Sequence, residues 1–337
     1  MTIEDISKLA KVSKTTVSRY LNGKYEYMSA KTRARIESII GQYQYRPNQI
    51  ARSLKTKKSN LIALISQGMS TQTNHIFLRG LEEALWNTEY DYIALSCGND
   101  FQRECRCFER CVDQQVAAIG YSPVSPDLRN AVAVNEKGTP VVLVDRYSRD
   151  WPYSAVYINQ YALVNQALDH LRERGYEDIL LITYAVSGLD NRYIRELAFR
   201  DYFQKWKGGV SDELVFRIEE TAGIQDAIQK RLKAFIEKPG EGRKAVFATN
   251  MNLLHTIIQA GRRLNLSYPE DYGLCGFDSW EWARLLKPSV TYLDQPQYQE
   301  GLETGRLLLD IIETREKRRK QIIELHGSIS IGDSTGD

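Results

Sequence analysis

Histidine and cysteine are scarce in this chain, four and five in 337 residues, and these absences narrow the function classes first. The four histidines stand far apart, at 75, 170, 255 and 326, with no triad or metal-ligand spacing. No P-loop, no GxGxxG after a strand, no GxSxG elbow and no HExxH occurs, so neither an enzyme activity nor a cofactor is expected. Five cysteines, an odd number, build no disulfide framework and fit a reducing compartment. Cys105, Cys107 and Cys111, with Cys97 upstream, could hold a soft metal or sense oxidation, but no histidine lies near and ordinary buried thiols are the favoured reading. Long apolar runs are absent as well. LIALI at 61–65 and VVLV at 141–144 fall far short of the ~20 residues a membrane-spanning helix needs. The opening MTIEDISKLA has neither the basic segment nor the apolar stretch of a secretory signal, which gives a cytoplasmic expectation.

What the chain has is an asymmetry of charge. Residues 1–60 carry 13 Lys/Arg against 4 Asp/Glu, a net +9, and the remainder carries 32 against 39, a net −7. A basic head on an acidic body points to a polyanion partner at one end, and a merely solvated basic tail is the alternative. The pattern inside the head favours the first. Ile3, Ile6, Leu9 and Ala10 recur at helical spacing, and Ser13 can cap a second helix that turns Val17 and Leu21 inward. A third segment, 30–43, contributes Ile36, Ile39, Ile40 and Tyr43. Three short helices around one core make a helix-turn-helix, whose second helix lies in the major groove of double-stranded DNA. Lys14, Thr15 and Arg19 then face base edges, Arg19 able to grip two guanine acceptors, with Thr2, Thr16, Ser18 and Asn22 nearer the phosphates.

Pro47 turns Arg46 away from helix, and Asn48 can cap a short helix through Leu54. Seven or eight residues are too few to stay helical alone, where about 12–15 are marginal, so this hinge folds only when docked. From residue 61 strand-like runs alternate with helical periods. LIALIS, YIALSC, AAIGYS and VVLVDR, separated by helices near 76–88, 101–115 and 127–137, make a first set. DILLIT, LVFRIE, AVFAT and YGLCGF, with helices near 191–207 and 224–237, make a second. That alternation predicts two doubly wound parallel-sheet subdomains, an α/β core behind the all-α head. Such sheets bind ligands beyond their strands' carboxyl ends, where Gln67, Ser122, Asp145, Arg146, Asn250, Asp278 and Gln295 stand.

SKTTVSRYLNG at 13–23, followed by YRPNQIARSLKTKKSNLIALI at 45–65, resembles the head and hinge of the lac repressor family. GYEDILLIT, R-x-x-A-F at 195–199, FATN at 247–250, YPEDYGLCGFD at 268–278 and PSVTYLDQP at 288–296 follow in that family's order. The resemblance covers essentially the whole chain. It implies a periplasmic-binding-protein-like core behind a DNA-binding domain at 1–45 and a hinge at 46–59. The core at 60–337 divides into one subdomain of about 60–159 and 290–322 and another of about 160–289 and 323–337. It further implies a repressor that binds a palindromic operator as a homodimer under control of a small sugar-like effector. Two hinge helices would pair in the minor groove with Leu54 as an apolar wedge, Lys55 beside it and Arg52 on phosphates, and Leu54 as a mere linker residue is the alternative. In the cleft Asp145 and Asp278 would accept hydroxyls, Arg195 would supply a charged fork and Gln295 would line the wall, with Gln67, Asn191, Thr249 and Asn250 as further contacts. For the two aspartates, exposed loop acids or helix caps are the bland alternative. Arg146, Arg192 and Arg195 tilt the effector toward an acidic sugar, although Arg146 and Arg192 could equally form surface salt bridges.

The sequence departs from the family at Ala198, where glycine is usual, at TNMN over 249–252, and in the aromatic loop of Trp280 and Trp282. Two rivals remain: a two-lobed solute receptor, which leaves the head unexplained, and a core that answers to a protein corepressor. The dimer interface is expected on the helices near 76–88 and 101–115.

Overall fold

The computed structural model describes residues 1–21, 23–45, 59–68, 72–186, 188–219, 223–240, 242–278, 280–314 and 319–336. Asn22 and the hinge residues Asn48, Arg52, Leu54 and Lys55 lie outside them.

The head is built from α1 (Ile3–Leu9), α2 (Lys14–Leu21), a 3-10 turn at Tyr25–Tyr27 and α3 (Ala30–Gln42). Thr2 and Asp5 form a reciprocal capping box that fixes the start of α1, and the Ser13 hydroxyl accepts from the Thr16 N–H at 3.1 Å to start α2. Ile6, Ala10, Val17 and Ile36 are fully buried and tie the helices together. Leu9 and Tyr43 do not join that core and are exposed. Leu9 precedes Ala10 by one position, about 100° around the helix, and Tyr43 lies at the C-cap beyond the last turn of α3.

In the body, β1 (Leu61–Ser66), α4 (Gln72–Leu85), β2 (Asp91–Ser96), α5 (Phe101–Asp113), β3 (Ala118–Tyr121), α6 (Arg129–Glu136), β4 (Val141–Val144) and β5 (Ser154–Ile158) wind a first lobe. A second follows: α7 (Gln160–Glu173), β6 (Tyr176–Tyr184), α8 (Asn191–Lys207), β7 (Val215–Ile218), α9 (Ile224–Glu237), β8 (Arg243–Ala248), α10 (Met251–Leu264), β9 (Gly273–Phe277), α11 (Trp280–Leu285) and β10 (Thr291–Asp294). The chain then returns to the first lobe through α12 (Gln297–Thr314) and β11 (Ile322–Leu325), and crosses once more to β12 (Ser328–Ser330). The sheets run β11-β5-β4-β3-β1-β2 and β12-β10-β9-β8-β6-β7, one winding order used twice, parallel except for the antiparallel β10–β12 pair. This is the two-lobed α/β core expected from the alternating pattern. The alternating pattern leaves out β5 and α7, where a five-residue strand beside a helix of mixed polarity has no clear period, and also α10, α11, β10, α12, β11 and β12.

The crossings differ from the expected ones. β10 lies in the second sheet, so the crossing expected near 289 falls after Asp294, and β11 pairs with β5 in the first sheet, so the crossing expected near 322 falls after Leu325. Backbone pairing decides both, and short apolar runs do not say which sheet they join.

Period-2 alternation feeds two cores per lobe. Along β1, Ile62 and Leu64 pack beneath α4 and α12 with Leu81 and Leu308, while Ala63 and Ile65 pack on the opposite face with Phe108 and Tyr121. α4 and α12 approach so closely that a Cβ on Gly80 would run into the Tyr298 carbonyl, and one on Gly301 into the Phe77 carbonyl. Cys97, Cys107 and Cys111 belong to the core on the α5 face. Burial raises all three thiols, Cys97 to about 11 and Cys111 to about 12, so near neutrality they stay protonated and behave as small apolar side chains.

Candidate ligand cavity and nucleic-acid interface

On the head, Lys14, Thr15 and Arg19 are exposed along α2. Thr15, Ser18, Arg19, Lys24 and Tyr27 line a shallow hollow, and the Arg19 guanidinium sits 4.7 Å from the centre of the exposed Tyr27 ring. Lys14 donates to Glu4 at 2.8 Å, which ties α2 to α1. Thr2 and Thr16, expected near phosphates, use their hydroxyls in the caps of α1 and α2.

A cavity of about 170 Å³ lies at the carboxyl ends of the strands, between the lobes. Of the expected cleft residues, Gln67, Asp145, Asn191, Arg195, Asp278 and Gln295 line it. Asp145 directly follows β4 and Asp278 directly follows β9, and each has a left-handed backbone. Arg195, buried on α8, is the hub. Its Nε donates to Gln160 at 2.9 Å, one Nη to the Thr249 carbonyl and the other to Gln295 Oε1 at 3.0 Å, and its plane lies 3.6 Å from the centre of the Phe277 ring. Gln295 passes the network on, donating to Asp278 Oδ1. Burial pushes the Asp278 carboxyl up, opposed by the Arg195 charge and the two glutamine donors. Burial also raises Asp145, against the pull of Arg146, of a hydrogen bond from Asn191 at 2.6 Å and of Arg195.

Three expected contacts are turned elsewhere. Arg146 donates to the Pro123 carbonyl at 3.0 Å and to Asp190 at 3.2 Å, a buried ion pair that joins the lobes. Burial alone would raise Asp190, but Arg192, bonded to both its oxygens, and Arg146 together hold that carboxyl below its ordinary value. Thr249 gives its hydroxyl to Thr183 and its carbonyl to Arg195, and Asn250 caps α10 by accepting from the Leu253 N–H at 2.9 Å. The arginine cluster that suggested an acidic ligand therefore contributes one guanidinium to the cavity wall, that of Arg195, which shares the cavity with the carboxyls of Asp145, Asp278 and Glu300.

Residues 2–48 match the model of bacterial regulatory proteins of the lacI family, and residues 168–335 that of the periplasmic binding protein-like domain. The chain belongs to the lacI family. This lacI-family chain is 28% identical over 330 residues to the HTH-type transcriptional regulator KdgR of Bacillus subtilis (strain 168), over 97% of this chain and 96% of that one. It shares its fold with the lac repressor dimer bound to operator and the anti-inducer ONPF, at a TM-score of 0.81 and 19% identity over 99% of both chains. It likewise resembles the regulator CelR in complex with cellobiose, at 0.70 and 21% over 99% of both. It is thus a DNA-binding transcriptional regulator. No helix among its described residues is long and apolar enough to cross a membrane.

Sequence reasoning about this lacI-family regulator missed the far wall of its cavity, formed by Thr73, Asn74 and Phe77 on α4 and by Gln297 and Glu300 on α12. Strand ends announce themselves in sequence. The first turn of a helix that returns from the other lobe does not, although the closely spaced polar pair Gln297 and Glu300 entering an apolar helix was a usable signal.

Proposed function

We propose that this regulator represses transcription by binding a palindromic operator as a dimer, and that a small polyhydroxylated effector, a sugar or a sugar acid, sets its affinity for DNA from the cavity between the lobes. One observation carries the reading: the buried Asp278 carboxyl and the half-buried Asp145 carboxyl, from equivalent strand ends, share a cavity of about 170 Å³ with the buried Arg195 guanidinium. Carboxylates accept from hydroxyls, and Arg195 has N–H groups beyond its three protein bonds with which to meet a ring oxygen or a carboxylate. CelR with cellobiose and the lac repressor on its operator support the pairing of sugar and DNA in this architecture.

In this reading residues 1–45 read the operator, 46–59 form the hinge with Leu54 as its wedge, and 60–337 bind effector and dimerise. The apolar stripe of α4 is covered by α12 within the lobe, which leaves the exposed flank beside Trp86 for a partner subunit. Coupling follows if the effector favours one arrangement of the lobes over the other.

Fluorescence anisotropy with a labelled palindromic duplex carrying a central CG step, titrated with D-glucose, D-ribose, D-gluconate and their phosphates, tests this. Salt-sensitive binding shifted by one compound is the expected result, and the direction of the shift separates inducer from corepressor. Specific binding that no compound shifts, but a purified protein partner does, would replace the sugar with a protein corepressor.

A further inference from the structure

The first turn of α12 presents to the cavity two polar side chains, each with one oxygen that the protein itself does not satisfy. Gln297 and Glu300 are three positions apart, so they share one helical face, and both line the cavity. They are 5% and 4% exposed, yet Oε1 of each lacks a hydrogen-bond partner among the described residues. The one bond Gln297 makes with its amide nitrogen is a long one, 3.4 Å to Asp278. Nor can the turn withdraw, because Gly301, the next residue, is packed against the Phe77 backbone.

Buried polar atoms in native proteins are paired, and an unpaired pair in a cavity wall marks where a ligand's polar atoms belong. The chemistry of the pair narrows the ligand. Gln297 Oε1 only accepts. Burial raises the Glu300 carboxyl well above its ordinary range, and the charge of Asp145 adds to that; in its protonated form the side chain donates as well as accepts. An acceptor beside a donor-acceptor fits neighbouring hydroxyls, each of which both gives and takes one bond. A methyl or methylene in the same place leaves both side chains unpaired.

We propose that Gln297 and Glu300 form a second polar subsite on the first-lobe side of the cavity, which holds two neighbouring hydroxyls of the effector and so determines which sugar is accepted. The inference rests on the reading of the cavity as a sugar site. Arg195 and Asp278 then hold one end of the molecule from the second lobe, and the α12 turn selects the hydroxyl pattern at the other.

The test is isothermal titration of the full-length protein and its Glu300→Leu and Glu300→Gln variants with D-glucose, D-gluconate, their singly deoxygenated forms and D-glucosamine. Wild type is expected to bind one fully hydroxylated compound and to lose at least about tenfold in affinity for one of its deoxy forms, because a site built to bond a hydroxyl rejects the analogue without it. Glu300→Leu should bind both at the weaker level and no longer tell them apart. Glu300→Gln, which keeps a donor and an acceptor, should restore the discrimination, which a merely structural role for Glu300 does not predict. Discrimination retained in Glu300→Leu overturns the subsite while leaving the sugar reading intact. Preferential binding of D-glucosamine with proton release from Glu300 overturns it in favour of a cation site. A wild type that binds none of the panel removes the sugar reading, and the subsite with it.

Discussion

Asp145 and Asp278 are structural equivalents. Each directly follows the third strand in its sheet's spatial order, with φ of 64° and 61°. Each donates its N–H to the neighbouring strand of its own lobe, Asp145 to Val156 at 3.0 Å and Asp278 to Leu293 at 3.2 Å. Aspartate tolerates the left-handed region better than most residues, and there it turns its carboxyl off the strand end into the cavity. The repeated winding order thus delivers one acid from each lobe to a shared space. Arg195 breaks the symmetry, because the second lobe supplies it and Gln295 links it to Asp278.

Arg195→Ala should leave operator binding in place and abolish the response to effector. The variant removes the cation from beside Asp278 and the bonds to Gln160, Gln295 and Thr249, so stability should fall by about 3–5 kcal/mol, the usual cost of leaving one buried charge without its partner. Anisotropy with and without the active compound, together with urea denaturation, measures both. A normal response would show that the ligand does not use this guanidinium.

Asp190→Asn should loosen the lobes. Asp190 receives Arg146 from the first lobe and Arg192 from its own, and the amide can satisfy neither charge. A loss of up to about 3 kcal/mol is expected, with a larger radius of gyration by small-angle scattering as the closed arrangement loses population. Unchanged scattering would mean that the Asp145–Asn191 bond and the apolar contacts suffice.

Arg19→Ala should flatten base preference at one position of each half-site, by roughly 1–3 kcal/mol for a two-bond contact to guanine. Tyr27→Ala, which removes the ring against the same guanidinium, should cost less and act at the same base. Competition anisotropy across single-base operator variants reads both. A uniform loss on all sequences would reassign Arg19 to a phosphate.

Glu300→Gln should stabilise the protein as pH rises. The folded carboxyl titrates well above its ordinary value of 4.5, from burial first and then from Asp145. Its contribution is therefore fully present below 4.5 and is lost as pH rises through the raised value. The substituted amide is neutral throughout, so the variant's melting temperature should match wild type below pH 4.5 and exceed it increasingly as pH rises above that value. A difference independent of pH would place the Glu300 carboxyl outside the buried wall.

The head, the alternation of strands and helices, and the acids at strand ends are local properties, and the sequence by itself determined them. Capping at Ser13 and the apolar runs such as LIALIS act within a few residues, so a linear reading finds them, whereas the cap at Thr2 stands where a phosphate contact was expected. Strand-end positions follow from the same runs, which is why Asp145, Asp278 and Gln295 were legible. Tertiary structure alone decided which sheet β10 and β11 join, that Arg146 pairs with Asp190 across the lobes, and that Gln297 and Glu300 close the cavity. Asp190 lies 44 residues from Arg146 and Glu300 lies 155 from Asp145, distances over which composition and period carry no information about contact. The chain crossings and the close packing of α4 on α12 bring these groups together, and that proximity, with the burial it imposes, sets their charge and their partners.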